Sequence, residues 1–484
     1  MFVRHSLIYL LARGIPSIVA FLAIAIYTRL LTPEEFGLYT LVYTGALLLS
    51  SVCFQWLRLG LLRFYQERDR SQKTVLISTI AMAFMAVAGA LLLMLPIAYF
   101  LKAFSWVVLG LAISIVQGAF DILLERARVE LAPWRFGFVA FMRAILMLGG
   151  GLVGFELGSV QGLLIGVFLG ILLVVGVELR QVSAGMHLAC ARKHELWSLL
   201  RFGGPLSATF VLAGVMGFAD RYMLAWLQDT AAAGHYAAAY DLTQKVIVTL
   251  MMVVNLSGYP LLLKAQAEGN AAVFQQRIRQ TLSGLLLIGL PVTLMFVTMP
   301  GLIASVLLGA AFQREAATIL PWLALAALFE GMTVYYFYLS FQLRQHTWHQ
   351  VWIVGAAAGL NILLNLWWIP IHGVLGAAWA TIAANLLAIS LSFMISRREL
   401  RLPMMTRDAF AVVISALVMG SWVVWAMSWV KGMSLSPLPS LLLLAIPASA
   451  LYMILLMGFD VLGVRSALME LIFKRHAETE NPFR

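Results

Sequence analysis

The segment RLLTPEEFGLY at residues 29–39 is similar in pattern to WLQDTAAAGHY at residues 226–236, and this internal repeat is the main indication of the fold. Gly37 aligns with Gly234 and Tyr39 with Tyr236, each at an offset of 197 residues. In both copies an apolar stretch leads into a short polar turn, and a second apolar stretch follows. Glycine permits a tight start of a helix, and tyrosine suits a membrane interface. The match predicts two similar halves, each containing the same helical hairpin.

The composition is that of a membrane protein. Of the 484 residues 62% are apolar and only 11% are charged, with a mean hydropathy of +0.92. A soluble domain averages about 25% charged residues, so the composition excludes an ordinary soluble enzyme, and its apolar content excludes a disordered chain. One spanning helix together with its short loop occupies roughly 33–36 residues. The length of the chain therefore accommodates about 14 helices.

Fourteen apolar runs along the chain are long enough to span a bilayer. No alternating ten-residue pattern suggests a barrel, so we predict an all-α integral membrane protein. The predicted spans are 6–30, 37–62, 74–100, 104–125, 136–154, 160–179, 203–227, 235–262, 281–300, 317–341, 350–368, 374–395, 408–430 and 439–463.

The basic residues predict the orientation of these helices. One set of loops, together with both termini, holds 24 Lys and Arg, whereas the opposite set holds only 3. Positive charge favours the cytoplasmic side, so both termini should be cytoplasmic. The net charge of +11 therefore reflects topology more than a nucleic-acid partner, and we predict none.

The sequence contains no pattern that indicates an enzyme. The outer loops are short, and we find no catalytic carboxylate pair, phosphate-binding glycine loop or metal-ligand spacing. Cys53 and Cys190 lie in unrelated surroundings, so we expect neither a disulfide nor a metal site. We assign no catalytic residue and no cofactor.

The repeat and the helix order predict the domain organisation. Two six-helix lobes are expected, followed by two further helices, and repeated lobes around a cavity are a common transporter plan. The boundaries are an N-terminal lobe at 1–180, a cytoplasmic linker at 181–202, a C-terminal lobe at 203–396, helices 13 and 14 at 397–464 and a cytoplasmic tail at 465–484.

Three segments resemble the polysaccharide flippases of the multidrug/oligosaccharidyl-lipid/polysaccharide exporter superfamily. They are RLLTPEEFGLY at 29–39, DRYMLAWLQDTAAAGHYAAAYDL at 220–242 and IHGVLGAAWAT at 371–381. The resemblance implies a MATE-like fold and a flippase that moves a lipid-linked oligosaccharide from the cytoplasmic to the outer leaflet. It also implies a bacterial inner-membrane protein that serves surface polysaccharide, exopolysaccharide or O-antigen biosynthesis.

Ionisable residues inside the predicted helices are candidates for function, because each costs about 2.5–3.5 kcal/mol on insertion scales. Six bases and three acids lie well inside the spans, a surplus of three positive charges that suits an anionic cargo such as undecaprenyl-pyrophosphate-linked sugar, whereas Asp121, Glu125 and Glu178 lie nearer the cytoplasmic ends and can reach water. We name Arg13, Arg58, Arg143, Arg221 and Lys245 as candidate cavity residues and Asp220, Asp241 and Glu330 as candidate coupling or structural acids, while the sixth base is Arg29.

Structural roles stay open for each of these residues. Arg29 and Arg58 can reach the membrane interface, and Arg13 and Arg143 can pair within the protein. Asp241 and Lys245 are four residues apart and can pair with each other. Glu330 can bind a proton or sodium, or be neutral through burial. Asn361 and Asn365 share a helix face and suit interhelical hydrogen bonds.

Our leading hypothesis is an alternating-access flippase for a lipid-linked oligosaccharide. Its partners would be that substrate, membrane lipids, a proton or sodium as candidate coupling ion, and a polymerase or glycosyltransferases as candidate protein partners. A cation-coupled small-molecule (drug) exporter of the same fold is the alternative. A membrane glycosyltransferase or polymerase is disfavoured, since those enzymes usually carry acids on a large outer loop.

Overall fold

A computed structural model describes residues 2–100, 104–183, 188–344, 346, 348–400, 402–403, 406–463 and 465. Side chains are described within these ranges except at 2–15, 97–98, 100, 182–183, 188 and 209. No strand occurs in this part of the chain.

The described residues form seventeen α-helices, of which α4, α11 and α13 are short. Two π-helical turns occur at Gln244–Val248 and Thr333–Phe337. The helices are α1 Phe2–Leu30, α2 Pro33–Phe64, α3 Arg70–Leu92, α4 Leu95–Phe100, α5 Phe104–Val129, α6 Pro133–Ser183, α7 Lys193–Leu227, α8 Thr230–Thr243, α9 Thr249–Ala267, α10 Ala271–Thr298, α11 Pro300–Leu307, α12 Ala310–Met332, α13 Tyr338–Leu343, α14 Trp348–His372, α15 Val374–Glu399, α16 Arg407–Lys431 and α17 Pro437–Gly458.

The predicted all-α membrane fold is confirmed. Twelve described helices are long and apolar enough to cross a membrane, counting Thr230–Ala267 and Ala310–Leu343 as one helix each across their π-helical turns. One of the twelve, Pro133–Gln181, contains two of the predicted spans, and the apolar part of α1 at Pro16–Leu30 supplies another. The fourteen predicted spans all correspond to these helices.

The long helix α6 is a hairpin whose arms touch through glycine. The backbone leaves helical geometry at Gly158 and Ser159, and Ser159 has a φ of 60°. A Cβ atom added to Gly154 would lie 2.0 Å from the carbonyl oxygen of Gly162, and one added to Gly162 would lie 2.0 Å from that of Gly154. Small residues thus let the two arms approach at backbone distance, as at many membrane helix interfaces.

Several helices are longer than the apolar runs that predicted them. Helix α7 begins at Lys193 rather than 203, and α10 begins at Ala271 rather than 281. The added turns contain charged residues such as Glu195 and Arg277. A hydropathy window excludes such turns, although backbone hydrogen bonding continues through them.

Contacts between helices group the chain into two compact units. Unit 1 comprises Met1–Ala237 and Val354–Ala377, and unit 2 comprises Ala238–Ile353 and Ala378–Arg484. In unit 1, α2 and α7 run antiparallel: the Tyr222 hydroxyl donates to the Leu41 carbonyl at 2.7 Å, and a Cβ atom on Gly203 would lie 2.3 Å from the carbonyl oxygen of Trp56. Unit 2 contains both π-helical turns.

The two repeated hairpins meet in unit 1 through a reciprocal contact. A Cβ atom on Gly37 would lie 2.0 Å from the Thr230 carbonyl oxygen, and one on Gly234 would lie 1.9 Å from the Pro33 carbonyl oxygen. Pro33 and Thr230 are themselves related by the same offset of 197 residues. Only glycine allows this approach, so the starts of α2 and α8 pack backbone against backbone.

Both hairpins also cap their second helix at the same register. The Thr32 side chain accepts a hydrogen bond from the Glu35 amide at 3.3 Å, and the Asp229 carboxylate accepts one from the Ala232 amide at 2.7 Å. Glu35 returns a bond to the Thr32 amide at 2.9 Å, which completes a capping box. These caps satisfy amides that the first turn of a helix leaves unpaired.

Candidate functional site

A polar cavity of about 210 Å³ lies in unit 1 among α2, α5 and α7. Side chains of α2 and α5 supply its polar groups, and Phe210 of α7 adds an apolar one. The polar lining residues are Ser50, Ser51, Gln55, Arg58, Gln117 and Asp121. A concave site with a few convergent polar groups on an apolar background is the usual form of a binding site.

Arg58 lines this cavity and is anchored at its Nε atom. That atom donates to Glu125 Oε2 at 2.8 Å, and Arg128 pairs with the other carboxylate oxygen of Glu125 at 3.1 Å. The Arg58 side chain is 34% exposed, whereas that of Glu125 is only 4% exposed. Among the described residues neither terminal nitrogen of Arg58 has a hydrogen-bond partner. Those two nitrogens are therefore positioned to bind another group.

Arg143 of α6 stands behind the same cavity. Its Nη2 donates to Gln117 Oε1 at 2.9 Å and to the Tyr43 hydroxyl at 3.3 Å. The guanidinium carbon lies 4.7 Å from the centre of the Phe120 ring, a cation–π distance. Gln117 lines the cavity, so it connects Arg143 to the space that Arg58 faces.

Asp220 and Arg221 of α7 are both buried in unit 1, with exposed fractions of 0% and 1%. The Tyr236 hydroxyl donates to Asp220 Oδ2 at 2.5 Å, and Asn365 Nδ2 donates to Oδ1 at 2.5 Å. The Arg221 guanidinium lies 5.7 Å from the centre of the Phe218 ring. The exposed fractions place both residues in the interior. The tyrosine of the second hairpin is hydrogen-bonded to Asp220.

The Asp220 network continues along α14. Asn365 Nδ2 also lies 3.0 Å from Asn361 Oδ1, which confirms that these two asparagines share a face. The side-chain oxygen of Asn365 is buried and has no hydrogen-bond partner among the described residues. A buried amide oxygen next to a carboxylate is an unused acceptor, which such interiors rarely leave.

The remaining described candidates lie in unit 2. Gln244, the first residue of a π-helical turn, donates to Glu330 Oε2 at 2.7 Å. Lys245 follows within that turn, and its side chain is exposed. Turns of π-helix occur frequently at functional sites, which keeps Glu330 a candidate. Arg13 lies in α1, and its side chain is outside the described ones.

The structure adds site residues that the sequence analysis missed. Gln117, Asp121 and Glu125 follow one another at four-residue intervals on α5 and face Arg58 or the cavity. Such spacing places them on one side of a helix. A polar stripe on an otherwise apolar span was the available signal, but each residue by itself reads as one that reaches water near the helix end.

Comparisons with known proteins agree with this architecture. A family model described as polysaccharide biosynthesis protein matches residues 26–317. The lipid II flippase MurJ in an inward closed conformation has a TM-score of 0.75 and 13% identity, over 94% of this chain and 99% of that chain. An inward-facing multidrug resistance MATE family transporter of the MOP superfamily has a TM-score of 0.59 and 16% identity, over 81% and 94%.

A search of curated protein sequences finds no match. At such low identities the two solved structures establish the fold alone, and they confirm the predicted MATE-like fold.

Proposed function

The chain belongs to the polysaccharide biosynthesis protein family, and from that premise we propose that it is a flippase for undecaprenyl-pyrophosphate-linked oligosaccharide. It would move this substrate across the bacterial inner membrane by alternating access, for surface polysaccharide, exopolysaccharide or O-antigen biosynthesis. The observation that carries the proposal is the polar cavity of unit 1, where the two terminal nitrogens of Arg58 have no partner among the described residues and Arg143 donates to Gln117 of the cavity wall.

The chemistry of the cargo explains why arginine is needed. A diphosphate cannot cross hydrocarbon alone, because transfer of a charged group out of water is prohibitively costly. Guanidinium groups replace the lost water with short, charge-assisted hydrogen bonds, and their planar forks match phosphate oxygens. Arg58 is suited to this role because Glu125 fixes it through Nε only.

The size of the cavity limits which part of the substrate it can hold. Its volume of about 210 Å³ is below the roughly 300–1,000 Å³ of sites that enclose drug-sized ligands. We therefore assign the cavity to the diphosphate and leave the oligosaccharide outside it. This division agrees with a carrier that accepts a bulky glycan.

We also propose that one of the acids of the spans outside the cavity couples transport to an ion. A proton or a sodium ion can neutralise a carboxylate, and Asp220, Asp241 and Glu330 are the candidates. Asp220 has additional support because Asn365, which donates to it, has a side-chain oxygen without a hydrogen-bond partner among the described residues. Carboxylate and amide oxygens suit hard cations.

The test is complementation of surface polysaccharide in a strain that lacks its own flippase. We expect Arg58→Ala and Arg143→Ala to lower polymer output at least tenfold while the protein still accumulates in the membrane. Arg63→Ala is the matched control, because Arg63 lies on the same helix but is exposed and pairs with Glu67. It should retain full output.

Two results would contradict the proposal. The first is full output from the Arg58→Ala, Arg143→Ala double variant. The second is drug resistance that appears on expression and disappears in Glu330→Gln, which would indicate the small-molecule exporter instead.

A further inference from the structure

Asp121 lines the polar cavity of unit 1, and the proposed function gives this acid no role. It lies on α5 and is half-buried. The groups that act on its carboxyl come from three helices: Gln117 and Glu125 of α5, Arg58 of α2 and Arg143 of α6. The residue of α7 that borders the cavity, Phe210, is uncharged.

The two acids beside Arg58 differ in how firmly their charge is held. Glu125 has two arginine partners, at 2.8 and 3.1 Å, and is only 4% exposed. Asp121 has no ion pair in the part of the chain that the structure describes. Protonation of Glu125 would leave two arginines without their partner, whereas protonation of Asp121 breaks no salt bridge. Asp121 is therefore the acid whose charge can change most easily.

The local charge balance changes when a diphosphate arrives. Arg58, Arg128 and Arg143 carry three positive charges, and Asp121 and Glu125 carry two negative ones when ionised. These five groups together thus carry one net positive charge when both acids are ionised. A diphosphate with two or more negative charges would be repelled by the Asp121 carboxylate, because like charges at close range in a low-dielectric site repel strongly.

We propose that Asp121 takes up one proton when a diphosphate group binds beside Arg58 and returns it when the diphosphate leaves. The inference rests on the proposed function, because it takes the cavity as the diphosphate site. No bond of the substrate forms or breaks; one proton passes from water to a carboxylate oxygen of Asp121. Protonation removes the negative charge of Asp121 that would repel the diphosphate beside Arg58. Each binding event is therefore linked to the uptake of one proton.

The test is calorimetric titration of the full-length protein in detergent, with undecaprenyl diphosphate in one arm and inorganic pyrophosphate in the other. Comparison of two buffers with different ionisation enthalpies gives the number of protons bound. Wild type should take up about one proton more than Asp121→Asn, a difference that cancels protons bound by the ligand itself. At pH values where Asp121 is ionised in the free protein, the affinity of wild type for the diphosphate should fall about tenfold per pH unit relative to the affinity of Asp121→Asn.

Two further variants guard against a trivial effect. Asp121→Glu should restore the linked proton, which a variant damaged in folding would not do. Glu156→Gln removes an exposed acid outside the cavity and should behave as wild type. Equal proton uptake with both ligands would mean that the diphosphate group suffices, and uptake with the lipid alone would mean that the carrier is required.

The outcomes separate the two proposals. If Asp121→Asn binds undecaprenyl diphosphate with the same proton uptake as wild type, the role of Asp121 is overturned and the flippase proposal stands. If Arg58→Ala binds as tightly as wild type, the cavity is not the diphosphate site, and both the cavity assignment and the role of Asp121 are overturned.

Discussion

The two hairpins at 29–39 and 226–236 have the same backbone design and different side-chain chemistry. Each begins its second helix with a side-chain cap, at Thr32 and at Asp229. Each then brings a glycine against the other hairpin at the same register. The features shared by the two copies are those that the backbone itself requires.

The tyrosines of the two hairpins differ. The Tyr39 ring stacks on Tyr43 at 5.8 Å and meets Tyr27 edge-on at 5.4 Å, so it belongs to an aromatic cluster. Tyr236 is completely buried and donates its hydroxyl to Asp220. The two copies therefore share a backbone geometry while their equivalent tyrosines have different neighbours. Three predictions test this difference, from the largest expected effect to the smallest.

The largest effect is expected at the glycines. Gly37→Ala and Gly234→Ala would each place a Cβ atom about 2 Å from a backbone oxygen, and backbone cannot rotate away as a side chain can. We expect each to lower the free energy of unfolding by about 3 kcal/mol or more, at or above the upper range for overpacking. Thermal unfolding of the purified protein in detergent measures it.

Gly149→Ala provides the control for both glycine variants. No heavy atom lies within 4 Å of a Cβ atom at that position, and alanine favours the helix more than glycine does. Its stability should be unchanged or slightly higher. The reciprocal contact would be disproved if Gly37→Ala or Gly234→Ala were equally harmless.

An intermediate effect is expected at the tyrosines. Tyr236→Phe leaves a buried acceptor of Asp220 without its donor, which should cost about 1–3 kcal/mol. Tyr39→Phe keeps the stacked ring at a position that is only partly buried, so its loss should be smaller. Chemical unfolding of the two variants in parallel measures the difference, and equal losses would show that the hairpins have not diverged.

The smallest effect is expected at the caps. Thr32→Ala and Asp229→Ala each remove one hydrogen bond to an amide of the first turn. Losses of this kind are about 0.5–2 kcal/mol. The two variants should agree with each other more closely than the tyrosine variants do. Hydrogen exchange at the first turns of α2 and α8 reports the effect locally, and unchanged exchange rates would argue against both caps.

The sequence predicted most of the fold because lipid imposes a simple rule on it. Every span was found from an apolar run, and the turn between 154 and 160 was placed correctly, because the backbone of α6 leaves helical geometry at Gly158 and Ser159. The starts of α7 and α10 were predicted too late in the chain. Helical turns that contain charged residues and lie outside the hydrocarbon have the same low hydropathy as loops. The π-helical turns have no signature in residue period, because they depend on packing around a single inserted residue.

The candidate site was predicted only in part. Arg58 and Arg143 were named because a charge inside a span is conspicuous, and the structure puts Arg58 at the cavity and Arg143 behind it. Asp121 was set aside as an acid that can reach water near a helix end, and Gln117 was not named, because their position at the cavity depends on which helix faces which, a relation that one-dimensional spacing does not contain. Asp220 was named, but its partner Asn365 is 145 residues away in sequence.

The reciprocal hairpin contact bears on the origin of the chain. When residue i touches residue j and the equivalent of j touches the equivalent of i, the surface is self-complementary, as in a two-fold symmetric dimer of identical subunits. Gly37 against Thr230 and Gly234 against Pro33 satisfy that relation within one polypeptide. A half-length ancestor would have made the same contact between two separate copies. Gene duplication and fusion would then have allowed the two equivalent tyrosines to acquire different neighbours while the glycines on both sides stayed fixed.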